Sequence, residues 1–204
     1  MKYLGIALAL TSTAIITVGC TSSDHKSEPT STVTSTTAKP VLAVPIGPAP
    51  DQPRNSRKPV QLDPCVEVGD DTVTKAGFEP KTRERADQVH DDYAFIGCSF
   101  DRKQDVRGQT RTVGSLTISS TNLTLDDFRK REGAAATEIK VNGSDAITYK
   151  RPESEACFVV LTDPDGTLDI SVSSTAALTD WNACEHVQDI AGIVASAGSV
   201  QVTV

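Results

Sequence analysis

Histidine, basic charge and long apolar runs are all scarce in this 204-residue chain, and each shortage removes a class of function. His25, His90 and His186 are its three histidines, with His25 far from the others, so a His-rich metal centre is excluded by count. Twenty Lys and Arg stand against 27 Asp and Glu, a net charge of −7, which argues against a nucleic-acid surface. The longest apolar run, Tyr3 to Val18, is too short and too rich in Thr and Ser for a membrane-spanning helix, which needs roughly 20 apolar residues. Carboxylates are plentiful but poorly placed for catalysis. The pairs Asp91-Asp92 and Asp126-Asp127 are adjacent and cannot oppose one another across a substrate. Asp163, Asp165 and Asp169 open like a calcium loop, but no bidentate Glu follows where it is needed, so a solvated turn is expected. Cys184 and His186 lie two apart on an expected helix, where side chains diverge by about 200°, so they do not form a nucleophile and base. These residues imply no catalytic site, metal or cofactor.

What is present begins at the N-terminus. Lys2, the apolar run and Thr17-Val18-Gly19-Cys20 read as a secretory signal, residues 1–19, ending in a bacterial lipobox. Thr17 stands where Leu is usual. Cleavage before Cys20 would leave its thiol to carry a diacylglyceryl group. Two or more acyl chains make such an anchor stable, because each buried methylene contributes about 0.8 kcal/mol. The expected location is the extracytoplasmic face of the cell membrane, held through Cys20.

Residues 20–59 carry Ser and Thr in their first half and Pro40, Pro45, Pro48, Pro50, Pro53 and Pro59 in their second. With no apolar period to offset ordering entropy, they are expected to form a disordered tether, stiffer where Pro-rich. A domain starting near Val60 should then keep its full stability. From Val60 to the end, 14 basic residues face 24 acidic ones, so residues 60–204 form an acidic domain on a slightly basic tether.

Within that domain, Tyr93–Phe100, Thr112–Thr121, Ser144–Arg151, Glu155–Asp163 and Thr167–Ser174 read as strands. In the second, Leu116 and Ile118 alternate with Ser115, Thr117 and Ser119. In the last, Leu168, Ile170 and Val172 point inward. Helices are expected at Thr72–Ala76, at Leu125–Glu132 behind the N-cap Thr124, and at Asp180–Ala197 behind Thr179. Lys81–Asp92 reads as a loop or a marginal helical turn, and Asp101–Arg111, with Gly108, as a hairpin loop. The sum is an α+β fold: an antiparallel sheet of about five strands with helices packed on one face. Trp181 is expected as a buried anchor at the start of the last helix.

Leu62-Asp63-Pro64-Cys65, Ala76-Gly77-Phe78, the Gly97-Cys98 strand, Thr121 to Asp126, Cys157 and Cys184 together resemble the actinobacterial, LprB/LprC-like lipoproteins of the domain-of-unknown-function 3558 family. That resemblance covers roughly residues 60–200 and implies secretion, lipid anchoring and disulfides, but no activity. Cys65, Cys98, Cys157 and Cys184 form an even set in an oxidising compartment. Four cysteines allow three pairings, of which Cys65 with Cys98 and Cys157 with Cys184 is favoured. The expected role is a non-enzymatic envelope module that binds an apolar or envelope ligand or docks on a protein partner, with an enzyme of unrecognised type as the third class. A pocket between sheet and last helix would favour the first, an exposed apolar patch the second, and converging ionisable groups in a cleft the third.

Overall fold

The computed structural model describes residues 40–197. The signal, Cys20 and the first half of the expected tether lie outside the described residues, as do residues 198–204. The chain forms α1 (Pro64–Glu67), α2 (Asp70–Lys75), β1 (Glu79–Arg85), β2 (Gln88–Val89), β3 (Ala94–Val106), β4 (Gln109–Thr121), α3 (Leu125–Glu132), β5 (Thr137–Val141), β6 (Ser144–Arg151), β7 (Ala156–Asp163), β8 (Gly166–Ser174) and α4 (Ala183–Ala197). All strand pairs are antiparallel, in the order β1-β3-β4-β8-β7-β6-β5 with β2 also paired to β3.

The expected sheet of about five strands with helices on one face is therefore corrected to eight strands with helices on both faces. Three strands escape a periodicity argument. β1 is an edge strand of the sequence EPKTRER with Arg83 as its fully buried residue, and charge on an edge blunts further pairing. β5 is a second short edge, and β2 has two residues. The stretch expected as a loop at Asp101–Arg111 instead continues β3 and β4 as a projecting two-stranded ribbon. Its turn, Arg107-Gly108, has φ of 56° and 78°, the positive pair that a tight hairpin with matching twist requires. A ribbon wet on both sides carries the same polar composition as a loop.

Side chains alternate across the sheet, and the two faces are packed differently. On the first face, Cys98, Phe100, Leu116, Ile118, Val159, Ile170 and Val172 meet α1, α2 and α4 in the main core. Burying each large side chain there contributes about 1.5–3 kcal/mol. α4 presents Ala183, Val187, Ile190, Ala191 and Val194 at helical spacing to this core. Two disulfides, Cys65–Cys98 and Cys157–Cys184, with Cα–Cα distances of 5.0 and 5.1 Å, stitch α1 and α4 to β3 and β7. They join the four cysteines in the pairing set out above. Helix α4 starts at Ala183, three residues after the expected start, because Thr179 Oγ1 is spent on the amide of Trp181 and Asn182 Oδ1 takes that of Cys184.

The second face owes its helix to topology. The chain leaves β4 in the middle of the sheet and re-enters at β5 on the far edge, so it must pass over β8, β7 and β6. Helix α3 lies on that passage, capped by Thr124 and Asp127 in a reciprocal pair. Its Leu125 and Phe128 pack on Ile147, Tyr149 and Val160 of β6 and β7. The half of this face over β4 and β8 stays uncovered.

Residues 40–59, expected as the second half of a tether, run along the domain as an extended strap. Ile46 packs against the main core and Ala49 against Val60, Ala94 and Ile96. Gln52 exchanges two hydrogen bonds of 2.9 Å with the backbone of Val60. Arg85, which also holds Asp63 and Asp87, donates to Gly47 O, and Arg57 donates to Asn122 O and Asp127 Oδ2. A Pro-rich stretch gives little ordering entropy away when it docks, which composition alone does not reveal.

Candidate functional site

Register builds the uncovered half of the second face row by row. One row runs Gly97, Ser119, Asp169, Val160, Ile147 from β3 to β6, and the next runs Ser99, Thr117, Ser171, Phe158, Tyr149. Small hydroxyl side chains thus fall on β4 and β8 in the middle, and aromatic rings on the strands beside them. The centre of the face is lower than its sides. Gly97 deepens it, because a Cβ there would collide with Ile118 O and Ser119 Oγ. The result is an open trough of about 750 Å³ floored by Thr117, Ser119, Ser171 and Ser173.

Two aromatic groups wall the trough. On one side His90 lies against Tyr93 at 4.4 Å, Tyr93 meets Phe95 edge-on at 5.9 Å, and Phe95 meets Phe128 of α3 at 6.3 Å. On the other, Tyr149 and Phe158 stack at 4.7 Å with planes 3° apart. Arg151 caps this stack, 5.5 Å from the Tyr149 ring and 5.1 Å from that of Phe158, while Arg131 sits 4.4 Å over Phe128. Both guanidinium groups converge on Glu132 Oε1, Arg131 at 2.7 Å and Arg151 at 2.8 Å. Burial pushes Glu132 up, but the hydrogen bonds from Arg151 and Arg131 outweigh it and hold the carboxyl below its ordinary range.

Asp169 is different. Its side chain lines the trough, and its Oδ1 is buried with no hydrogen-bond partner among the described residues. Burial pushes its carboxyl up to about 7 against the pull of Arg131 and Arg151. Burial also raises Tyr149, and the charge of Asp169 adds to this. A buried acceptor left unmade costs about 1–3 kcal/mol, and of the unpartnered buried side-chain atoms among the described residues Asp169 Oδ1 is the one that belongs to the trough lining, where an incoming donor can reach it.

The residues singled out from the sequence scatter elsewhere. Asp163, Asp165 and Asp169 do not converge: Asp165 Oδ2 accepts the amides of Gln61 and Leu62 at 2.6 and 2.7 Å, and Asp163 Oδ1 accepts that of Asp165. Cys184 is in its disulfide, and His186 stacks on Trp181 at 5.5 Å. Trp181 is half-buried, edge-on to Phe78 at 6.1 Å with Arg102 4.5 Å over its ring, closing the start of α4 on the core. Among the described residues the main core fills the centre of the space between sheet and last helix, which opens at its edge where α2, β5 and α4 meet. A shallower cavity of about 770 Å³ beside α2 and the C-terminal end of α4 is lined by exposed Lys140 and Asp189, and its Asn142 amide is spent on Gly192 O and Ser196 Oγ.

The residues that sequence reasoning missed are Asp169 as a site group, with Tyr149, Phe158, Arg131 and Arg151. The signal was the wet side of the same alternation that located the core. Ser115, Thr117 and Ser119 on β4 pair with Ser173, Ser171 and Asp169 on β8, and one carboxylate interrupts the hydroxyls.

Neither a curated protein nor a solved structure matches the chain. Residues 15–196 match DUF3558, described as a protein of unknown function, and on that span the chain belongs to the DUF3558 family.

Proposed function

We propose that this member of DUF3558 is an extracytoplasmic lipoprotein, of the actinobacterial LprB/LprC-like type, that holds a small ligand in the trough of its second sheet face without chemically changing it. The observation that carries the reading is the trough itself, with its unpartnered Asp169 Oδ1. Its volume of about 750 Å³ falls in the range of roughly 300–1,000 Å³ usual for small-molecule sites. Aromatic walls with a few convergent polar groups are likewise what such sites use to combine affinity with orientation. Glu132, the carboxylate whose charge acts on Asp169, is engaged by both Arg131 and Arg151, which supports binding over turnover.

The signal and lipobox support anchoring through Cys20. Among the described residues no helix is long and apolar enough to cross a membrane. The large apolar side chains exposed among those residues, Val41, Val89 and Leu178, belong to different parts of the chain and give the protein-docking alternative little support.

Native mass spectrometry of the protein purified from its host envelope, beside a Ser171→Trp variant whose indole fills the trough, tests the reading. A small molecule retained by the parent and absent from the variant is expected. Equal retention by both, or none by either, would contradict it.

A further inference from the structure

We infer that the ligand is a neutral saccharide, one of whose hydroxyl groups donates a hydrogen bond to the Asp169 carboxyl; this rests on the trough being a ligand site and adds the class of ligand. The lining decides by elimination. An anion would look to Arg131 and Arg151, but both already converge on Glu132 and lie against aromatic rings. Their charge is answered within the protein. A metal cation would need several converging ligands, and among the described residues no group of three His, Cys, Asp or Glu side chains supplies them. A lipid tail would leave the hydroxyls of Thr117, Ser119 and Ser171, with the Asp169 carboxyl, facing hydrocarbon without partners.

A neutral polyol meets none of these objections. Each of its hydroxyls can both donate and accept, matching the Ser and Thr hydroxyls, and a hydroxyl donor satisfies the carboxylate that the protein leaves alone. The apolar faces of sugar rings suit the walls of Tyr93, Phe95 and Phe158, where C–H groups can rest on π faces. The trough is open along its length, so a free oligosaccharide and the end of an envelope polysaccharide present the same chemistry to it.

The groups around Asp169 are Arg131 and Glu132 on α3, Tyr149 and Arg151 on β6, and His90 and Glu153 at the trough rim, with Ser119 and Val160 as its register neighbours. Because a hydroxyl donor favours the charged carboxylate, affinity should rise with pH through about 7. An Asp169→Asn variant assigns the profile to that carboxyl.

The test is calorimetric titration of the full exported chain in detergent with neutral tri- to hexasaccharides of glucose, mannose, galactose and arabinose. Oleate, spermidine and inorganic phosphate serve as probes of the rejected classes, and sedimentation with insoluble envelope polysaccharide serves as a second arm. At least one neutral sugar should bind with Kd of about 1 mM or tighter. Asp169→Asn should weaken it about 10- to 100-fold and flatten its pH profile, and Ser171→Trp should abolish it. Tight binding of the short sugars would identify a free oligosaccharide as the source, and binding of the polymer alone would identify the polysaccharide. Binding of oleate, spermidine or phosphate that Ser171→Trp removes, with no sugar bound, would overturn the class and leave the trough as a site. Sugar binding indifferent to both variants would overturn the assignment to Asp169. No binding of any probe, together with no small molecule in native mass spectrometry, would overturn both readings.

Discussion

The two faces of one sheet are built from alternate residues of the same strands, yet they obey opposite rules. On the face under α4, Leu116 and Ile118 of β4, Cys157, Val159 and Leu161 of β7 and Ile170 and Val172 of β8 form an apolar core, the helices cover it, and disulfides lock α1 and α4 down. On the other, the central residues are Ser, Thr and Asp, one short helix covers part of the surface, and a buried carboxylate oxygen goes without a partner. Apolar packing is concentrated on the first face, and a row of hydroxyls and one unpartnered carboxylate oxygen face the trough on the second. A fold that sealed both faces would be more stable and would have nowhere to place a ligand, which is the usual opposition between stability and function.

Substitutions can break or sharpen this contrast. The largest effect belongs to the sealed face: Phe100→Ala should cost about 3–5 kcal/mol in urea unfolding, since the ring is fully buried and the cavity cannot collapse under two cross-links. Cys184→Ser should follow at about 2–4 kcal/mol, because it opens a loop of 27 residues that pins α4 to β7. Removing the strap contact with Arg57→Ala should cost on the order of 1 kcal/mol. Asp127 is held at about 2 chiefly by the Thr124 amide and further by the Thr124 hydroxyl and Arg57, so what its ionised form contributes should vanish as pH falls from about 4 to 2. A chain beginning at Val60 should melt lower than one beginning at Pro40, through the lost packing of Ile46 and Ala49. The smallest effect belongs to the open face. Ser171→Ala should change stability by less than about 0.5 kcal/mol, and a large loss there would show the trough to be core.

The sheet was legible where one side of a strand was buried and the other wet. β4 and β8 could be placed from Leu116 and Ile118, and from Ile170 and Val172, without coordinates. Helix α3 was legible to the residue because Thr124 and Asp127 make a capping pair in sequence as in space. β1 was not, since an edge strand faced by solvent needs one inward side chain, and here that side chain is Arg83, whose guanidinium reaches Asp70 at 2.8 Å. The trough was half legible. Its floor was visible as the polar half of an alternation. Its walls depend on which strands become neighbours, and the pairing of β4 with β8 across some 50 residues leaves no local mark. Neither does the route of α3, which decides how much of that face is covered.

Urea unfolding of the parent chain and of Asp169→Asn at pH 5 and pH 8 tests most directly whether Asp169 is kept for a ligand and not for the fold. The folded carboxyl holds its proton up to about pH 7, whereas the unfolded one releases it near its ordinary 3.8. Between those values the native state binds more protons, so the stability of the parent should fall as pH rises, by an amount on the order of 2 kcal/mol. Asp169→Asn should lack that fall and be the more stable protein at pH 8, while losing ligand. A variant less stable than its parent at both pH values would mean that the carboxylate has a structural partner, and would contradict the account.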